Sequence, residues 1–288
     1  MHPSAVQNAS YYMGPHGEPH LSRTGFLILS IIMAIFTVPA IILNATVIIV
    51  SLLHKQLRQP LNFALVNMAV ADLGTAMTGG VLSVINNAQG YFSLGRTGCV
   101  MEGFAVSFFG ITSLCTVALI AVERMFVVSK PLGQITFQKK HALGGIALSW
   151  LWSLTWNTPP PVWMGQLMWT LHKVSKMACL EGGAAAKGEA KVASMVVLMV
   201  LTFLISWLPY AGLAMLVVYN PDVEINPLVS TVPVYLAKSS TAYNPIIYIY
   251  LNKQFRKYAV PFLLCGTEPS EDETSEMTTV ESNKVSPA

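Results

Sequence analysis

The chain has 288 residues, of which 53% are hydrophobic and only 11% are charged. Since a soluble globular domain carries about 25% charged residues, this composition argues against a water-soluble protein and indicates lipid as the main solvent. The net charge of +3 is too small to indicate nucleic-acid binding, and four cysteines in a chain of this length do not make a disulfide framework.

The amino-terminal residues 1–25 are mostly polar, and we interpret them as an extracellular tail. Asn8 begins an Asn-Ala-Ser sequon and is the candidate glycosylation site on this tail. The tail has no apolar core followed by a cleavage pattern. The first apolar segment is therefore expected to act as the membrane signal itself.

Six apolar segments follow, each of about the length that a transmembrane helix requires, roughly 20 residues. Helices are expected because uninterrupted apolar runs do not fit the alternating pattern of a membrane barrel. In chain order the segments are residues 26–53, 61–85, 98–122, 142–163, 192–219 and 227–251. Residues 26–251 are thus predicted to form the transmembrane domain of an all-α membrane protein.

Most lysines and arginines lie in the connections after the first and third segments, before residues 192–219, and after the last segment. By the positive-inside rule these connections face the cytoplasm. The opposite connections carry few charges. This pattern places the amino-terminal tail outside and the carboxy-terminal tail inside.

One connection contradicts this topology. The fourth segment should end outside, yet residues 173–191 resemble a basic cytoplasmic loop, and only residues 161–171 separate the two. As a helix this linker would span about 16 Å, whereas the hydrocarbon core is about 30 Å thick. We therefore predict that one span is missing here.

Lys238 lies near the middle of the last segment, where a charged side chain costs at least about 2.5–3.5 kcal/mol. It could snorkel to an interface or form an ion pair that only holds helices together. Alternatively its role is chemical, because a desolvated amine condenses readily with an aldehyde. A protonated Schiff base would need a nearby carboxylate. Glu102 is a candidate, although it starts closer to the outer surface than Lys238.

Asp72 is the other acid within the apolar segments. It could accept hydrogen bonds from Asn44 and Asn244 in a purely structural polar network, or that network could have two arrangements and serve as a switch. Trp207 and Pro209 are a further pair, because proline disturbs the preceding helical turn and a bulky ring beside a kink can move with it. A tryptophan alone more often packs in a core.

Several motifs resemble those of rhodopsin-like G-protein-coupled receptors. Residues 61–73 are similar to their second span, 123–125 (Glu-Arg-Met) to the Glu/Asp-Arg-Tyr motif, 206–210 (Ser-Trp-Leu-Pro-Tyr) to Cys-Trp-x-Pro, and 244–248 (Asn-Pro-Ile-Ile-Tyr) to Asn-Pro-x-x-Tyr. Within that superfamily, Lys238 in residues 237–240, six positions before Asn244, is the mark of the opsins. Residues 56–60, 90–96 and 156–160 resemble the non-visual opsins of the pineal complex.

The resemblance implies a rhodopsin-like transmembrane helix bundle in which Lys238 binds retinal (11-cis-retinal) as a covalent Schiff base and Glu102 is the counterion. It implies a light-activated receptor for a heterotrimeric G protein of the inhibitory or transducin class, without catalytic residues or a metal site. Arg124 would pack against the G protein in the active state and be restrained by Glu123 in the inactive state. The residues of the implied activation switch are Glu123, Arg124, Trp207, Pro209, Asn244, Pro245 and Tyr248.

The carboxy-terminal part of the chain also resembles these receptors. Residues 252–265 are similar to their amphipathic surface helix, with Cys265 in place for palmitoylation. Residues 266–288 are acidic and rich in serine and threonine, a composition that predicts a disordered cytoplasmic tail. By resemblance this tail is a substrate for a receptor kinase and recruits arrestin. The expected location is the plasma membrane or a photoreceptor membrane.

The chain departs from the family after residue 160, where about fifty residues, comprising the second outer loop and the fifth span, are absent. Six recognisable spans of the usual seven remain. The missing loop normally supplies the disulfide partner of the residue at the position of Cys99, which is therefore expected to be unpaired. In the pineal opsins it also carries a glutamate counterion, so Glu102 would act alone.

Three other interpretations remain open. A receptor for a diffusible ligand would share every motif except Lys238. A retinal photoisomerase would keep the lysine, but the Glu123-Arg124 motif and the tail favour signalling. A truncated splice form or mispredicted gene product would carry the opsin motifs without forming a pigment, and would be retained in the endoplasmic reticulum.

Overall fold

The computed structural model describes residues 21–91, 93–129, 138–157, 189–220, 223 and 225–264, and the regular structure within these ranges is helical. The prediction of an all-α fold is confirmed. A 3₁₀ turn, Lys55–Leu57, follows the first helix, and a π-helical segment, Ala76–Gly80, joins the second helix to the third. The α-helices are α1 (Arg23–Leu53), α2 (Pro60–Thr75), α3 (Val81–Gln89), α4 (Gly95–Ser129), α5 (Lys139–Asn157), α6 (Glu189–Tyr219), α7 (Pro227–Leu251) and α8 (Lys253–Leu263).

Four stretches of the described chain are long and apolar enough to cross a membrane. They are Arg23–Leu53, Leu61–Gln89, Thr97–Arg124 and Ser194–Tyr219. Helices α5 and α7 cover most of the other two predicted segments but lie outside this set. Polar residues explain the difference, because α5 begins with Lys139, Lys140 and His141, and α7 contains Lys238 and Asn244.

Local sequence accounts for several helix ends. The Ser22 side chain accepts a hydrogen bond from the Gly25 amide and caps α1, and Pro60 occupies the first position of α2, where its missing amide hydrogen costs nothing. Helix α3 ends at Gly90, whose φ of 80° is left-handed. Glycine adopts that conformation without a steric penalty, so the chain can turn there towards α4.

The bundle interior is unusually polar and its outer surface apolar. Buried polar residues include Asn44, Asn67 and Asp72, whereas Ile31 and Leu52 on α1 are 61% and 66% exposed. Polar side chains in membrane helices normally face the bundle interior, where they find partners. This distribution is the one expected of helices surrounded by lipid.

Helix α4 is central to the arrangement. It packs against α2, α5 and α6, while α7 packs against α6 and α1. Hydrogen bonds join three of these helices: Trp150 Nε1 donates to Asn67 Oδ1 at 2.8 Å, and Asn67 Nδ2 donates to Thr116 Oγ1 at 2.8 Å. Asn67 therefore links α2 to both α4 and α5 in the bundle interior.

The short helix α8 follows α7 directly. Asn252 caps it by accepting hydrogen bonds from the amides of Gln254 and Phe255. Phe255 and Ala259 are buried, and α8 packs against α1 and α7. Helix α8 thus lies within the predicted surface helix, residues 252–265.

Some predictions concern residues outside the described ranges. They are the glycosylation site Asn8, the gap between residues 158 and 188 where a span is expected to be missing, the palmitoylation site Cys265, and the tail 266–288.

Candidate functional site

Lys238 and Glu102 form an ion pair inside the bundle. Lys238 Nζ on α7 lies 2.7 Å from Glu102 Oε1 on α4, and the two side chains are only 11% and 13% exposed. Glu102 starts nearer to the outer surface, but the flexible lysine stem closes the offset. Lys238 therefore does not snorkel to an interface.

Two further acceptors complete the surroundings of the ammonium group. Lys238 Nζ donates to Ser83 Oγ at 2.7 Å and to the Gly79 carbonyl oxygen at 3.3 Å. An ammonium group has three N–H donors, so its hydrogen-bonding capacity is matched. Gly79 also lets the helices approach closely, because a Cβ there would lie 2.5 Å from Val106 Cγ2 and 3.4 Å from Lys238 Cε.

The outer side of this pair is bounded by a second contact between α3 and α7. Asn87 Nδ2 donates to the Ser83 carbonyl oxygen at 2.6 Å and to the hydroxyl of Tyr235. Asn86, its neighbour, accepts hydrogen bonds from the amide and hydroxyl of Ser93. The end of α3 is thereby tied both to α7 and to the loop that follows it.

Trp207 is linked to the helix that carries the lysine. Its Nε1 donates to Ser240 Oγ at 3.1 Å, two residues after Lys238, and its ring stacks on Phe203 at 5.5 Å. The ring also lies against α4 at Gly110, where a Cβ would be 2.5 Å from the tryptophan. Pro209 lies in α6 two residues further along.

Asp72 accepts hydrogen bonds from two helices. Ser113 Oγ donates to Asp72 Oδ1 at 2.9 Å, and Asn244 Nδ2 donates to Asp72 Oδ2 at 2.8 Å. The predicted bond from Asn44 is wrong. Asn44 Nδ2 donates instead to the carbonyl oxygens of Ala40 and Thr241, at 2.8 and 2.9 Å, because a direct helix-to-helix contact with the α7 backbone engages its amide.

The inner end of α4 carries a second ion pair. Arg124 Nη2 lies 2.6 Å from Glu123 Oε1, and Arg124 Nε and Glu123 Oε2 have no hydrogen-bond partner in the described part of the chain. Tyr248 on α7 is fully buried against Phe255 of α8, with ring centroids 5.9 Å apart. Pro245 lies one turn before Tyr248 in α7. Glu123, Arg124 and Tyr248 thus lie towards the ends of α4 and α7, whereas Trp207 lies near Lys238 in the middle of the bundle.

The sequence interpretation missed Ser83, Gly79, Ser113 and Ser240 as partners of the motif residues. A signal was available, because small polar residues inside apolar helices commonly mark helix contacts. Cys99 is a free and exposed cysteine. Among the described residues no cluster of three or more His, Cys, Asp or Glu could hold a metal ion.

Comparison with known proteins identifies the family. The family described as 7 transmembrane receptor (rhodopsin family) matches residues 43–181 and 164–248. Parapinopsin of Ictalurus punctatus is 46% identical, with 96% of this chain and 94% of that protein covered. This chain is an opsin of the rhodopsin family. Pinopsin of Columba livia is 36% identical over 89% of this opsin and 86% of the relative.

A solved structure has the same fold. The crystal structure of squid rhodopsin matches with a TM-score of 0.73 and 20% identity, covering 92% of this opsin and 94% of that chain. The predicted rhodopsin-like helix bundle is confirmed. As a member of the opsin family, the chain is a multi-pass membrane protein of a class of light-sensing receptors that couple to heterotrimeric G proteins.

The alignment with parapinopsin also bears on the prediction that a span is missing. It runs over 327 positions, 39 more than this opsin has residues, so at least that many positions of the relative have no counterpart here. The two stretches matched by the family overlap at residues 164–181, which include most of the segment 161–171 where the sequence predicts that a span is missing.

Proposed function

We propose that this opsin binds 11-cis-retinal covalently through Lys238, with Glu102 as the counterion. The observation that carries the proposal is the 2.7 Å contact between Lys238 Nζ and Glu102 Oε1, both largely shielded from solvent. A Schiff-base linkage requires an amine, and its protonated form requires a negative charge nearby. Both groups are supplied by helices other than the missing span.

The residues around Lys238 suit such a linkage. When bound, retinal supplies light absorption and a light-driven change of shape. In its protonated form the linkage would leave the lysine nitrogen one N–H donor in place of three, and Glu102, Ser83 and the Gly79 carbonyl would compete for it. The Glu102 carboxylate forms the strongest of these bonds because a charge-assisted hydrogen bond is about twice as strong as a neutral one.

The test uses a version of this opsin in which the absent loop and span are supplied from the Ictalurus punctatus parapinopsin. In that background Lys238→Ala should form no pigment with 11-cis-retinal, because no other amine of the described chain lies within the ion-pair site. Lys139→Ala, at the inner end of α5, is the control and should form pigment normally. A retained absorption band in Lys238→Ala would overturn the assignment.

We further propose that the opsin signals to a heterotrimeric G protein of the inhibitory or transducin class through Arg124. The pairing of Arg124 with Glu123 at 2.6 Å and the burial of Tyr248 against α8 support an inactive arrangement of the inner face. A change of shape near Lys238 has a path to that face along α7, which carries both Lys238 and Tyr248.

Nucleotide exchange on an inhibitory-class G protein, measured in light and in darkness with the restored opsin, tests this proposal. Light should raise exchange. Glu123→Gln should raise exchange in darkness, because it removes the charge that restrains Arg124. Equal exchange in light and darkness from a pigment that bleaches normally would favour a retinal photoisomerase instead.

Regulation through the carboxy-terminal tail is part of the same proposal. Serines and threonines at residues 270, 274, 275, 278 and 279 are candidate sites for a receptor kinase, and the modified tail would bind arrestin. The corresponding location is the plasma membrane or a photoreceptor membrane. Alanine at all five sites should strongly reduce light-dependent phosphorylation, which phosphate incorporation would measure.

A further inference from the structure

We propose that Asn87 and Tyr235 form an outer clasp that limits access of water-borne reagents to the amine of Lys238. The proposal rests on the proposed function only in that Lys238 is the residue to be shielded. Neither residue belongs to a sequence motif of the activation switch. The contact between them is defined by the side chains of α3 and α7.

The Asn87–Tyr235 contact and the Ser83–Lys238 contact are successive hydrogen bonds between the same two helices, α3 and α7. Asn87 lies four residues after Ser83 on α3, and Tyr235 lies three residues before Lys238 on α7. Residues at these spacings lie one above the other on a helix face. Ser83 accepts a hydrogen bond from Lys238, and one helical turn away Asn87 donates a hydrogen bond to Tyr235.

The Asn87–Tyr235 contact lies on the outer side of the Ser83–Lys238 contact. Helix α3 runs from the π-helical segment to its end at Gly90, where the chain turns, so Asn87 is nearer to that end than Ser83. Helix α7 begins at Pro227, so Tyr235 is likewise nearer to its outer end than Lys238. A molecule entering between α3 and α7 from the outer face therefore meets the clasp before the amine.

Asn87 is held in place from both sides. Its Nδ2 donates to the Ser83 carbonyl at 2.6 Å as well as to Tyr235. The turn that carries Ser83 Oγ is thus attached to the same amide that bridges to α7. Separation of Asn87 from Tyr235 would both open the outer side and release one constraint on Ser83.

The experiment measures reductive methylation of Lys238 in the retinal-free 288-residue chain with formaldehyde and cyanoborohydride. The neutral amine adds to formaldehyde, water leaves, and hydride from cyanoborohydride gives the methylated amine. Mass spectrometry of the peptide gives the rate. Lys139 and Lys140, exposed on α5, serve as internal references and should react equally in every variant.

Tyr235→Phe keeps the ring and removes only the hydroxyl. It should raise the rate at Lys238 by about three- to ten-fold, the factor that one net hydrogen bond contributes to an opening equilibrium. Asn87→Ala should raise it at least as much, and the double variant should match Asn87→Ala, since both remove the same bond. Tyr250→Phe, on the 69% exposed tyrosine of α7, should have no effect.

The pH profile separates shielding from a change in the ion pair. Loss of the clasp should multiply the rate by the same factor at every pH, because the hydrogen bond that is removed involves neither Lys238 nor Glu102. An unchanged rate in Tyr235→Phe, or a native Lys238 that reacts as fast as Lys139, would overturn the clasp. Neither result depends on retinal binding, so a failure of the pigment assay is distinguishable from a failure here.

Discussion

Lys238 would strongly destabilise an apolar helix if its ammonium group had no partner. Three acceptors within 3.3 Å, one of them the Glu102 carboxylate, offset that cost. Removing one member of a buried ion pair leaves an uncompensated charge, which is usually more damaging than removing both. Substitution of Lys238 alone or of Glu102 alone should therefore have an effect that can be measured separately.

Glu102→Gln in the restored opsin should shift the pigment absorption to shorter wavelength. On the proposed assignment the variant removes the negative charge beside the protonated Schiff base, so the linkage should lose its proton more readily than in the native pigment. Spectra recorded across a pH titration measure both effects. In a pigment already deprotonated in darkness, the titration is made on the photoproduct.

Asp72→Asn is the matched control for Glu102→Gln, because Asp72 bonds Ser113 and Asn244 rather than Lys238. It should leave the absorption and the titration unchanged. An unchanged titration in Glu102→Gln would mean that water or another group acts as the counterion.

At the scale of helices, α4 and α6 are in tight contact where Gly110 faces Trp207. A Cβ at Gly110 would lie 2.5 Å from the indole ring, and that ring is held by Ser240 and by stacking on Phe203. The ring therefore has little freedom to yield. This contact ties the α6 tryptophan, next to Pro209, to both α4 and α7.

Gly110→Ala should lower the free energy of unfolding by about 1–3 kcal/mol, the usual cost of overpacking a well-packed interior. Gly103→Ala on the same helix is the control, because nothing lies within 4 Å of a Cβ there. Alanine has the higher helix propensity, so the control should be neutral or slightly stabilising. Thermal melting of the two variants in detergent compares them, and equal melting temperatures would contradict the tight α4–α6 contact.

For the whole molecule, the decisive expectation from the sequence is that a span is missing between α5 and α6. Residues 161–171 are too few to cross the bilayer as a helix, and an extended chain would leave backbone groups unsatisfied in lipid. A six-span chain also cannot place its two tails on opposite faces. The ion-pair site, by contrast, is assembled from α3, α4, α7 and the π-helical segment.

The 288-residue chain should therefore give little or no pigment and remain in the endoplasmic reticulum, although its Lys238–Glu102 pair is present. Surface labelling and spectra after addition of 11-cis-retinal measure this. The same chain with the absent segment supplied from parapinopsin should reach the surface and form pigment. Surface expression with a normal light response from the unmodified chain would contradict the prediction of a missing span and exclude a non-functional truncated product.

Local features of the sequence were enough to predict the helical segments and the ion pair. The segments follow from the length of apolar runs, because a bilayer imposes one thickness on every span. Glu102 was identifiable because so few acids lie in those runs. The bond from Asn44 to Asp72 was predicted wrongly, because periodicity does not tell which faces of two helices meet.

The sequence by itself determined an all-helical membrane protein of the opsin family with a lysine near the middle of its last apolar segment. Composition, span length and motif spacing depend only on the order of residues along the chain and not on which helices pack together. Only the tertiary structure decided that Ser83 and Gly79 share the ammonium with Glu102, and that Asn87 donates a hydrogen bond to Tyr235. Those partners lie up to 159 residues from Lys238 along the chain, and helix packing alone brings them within hydrogen-bonding distance.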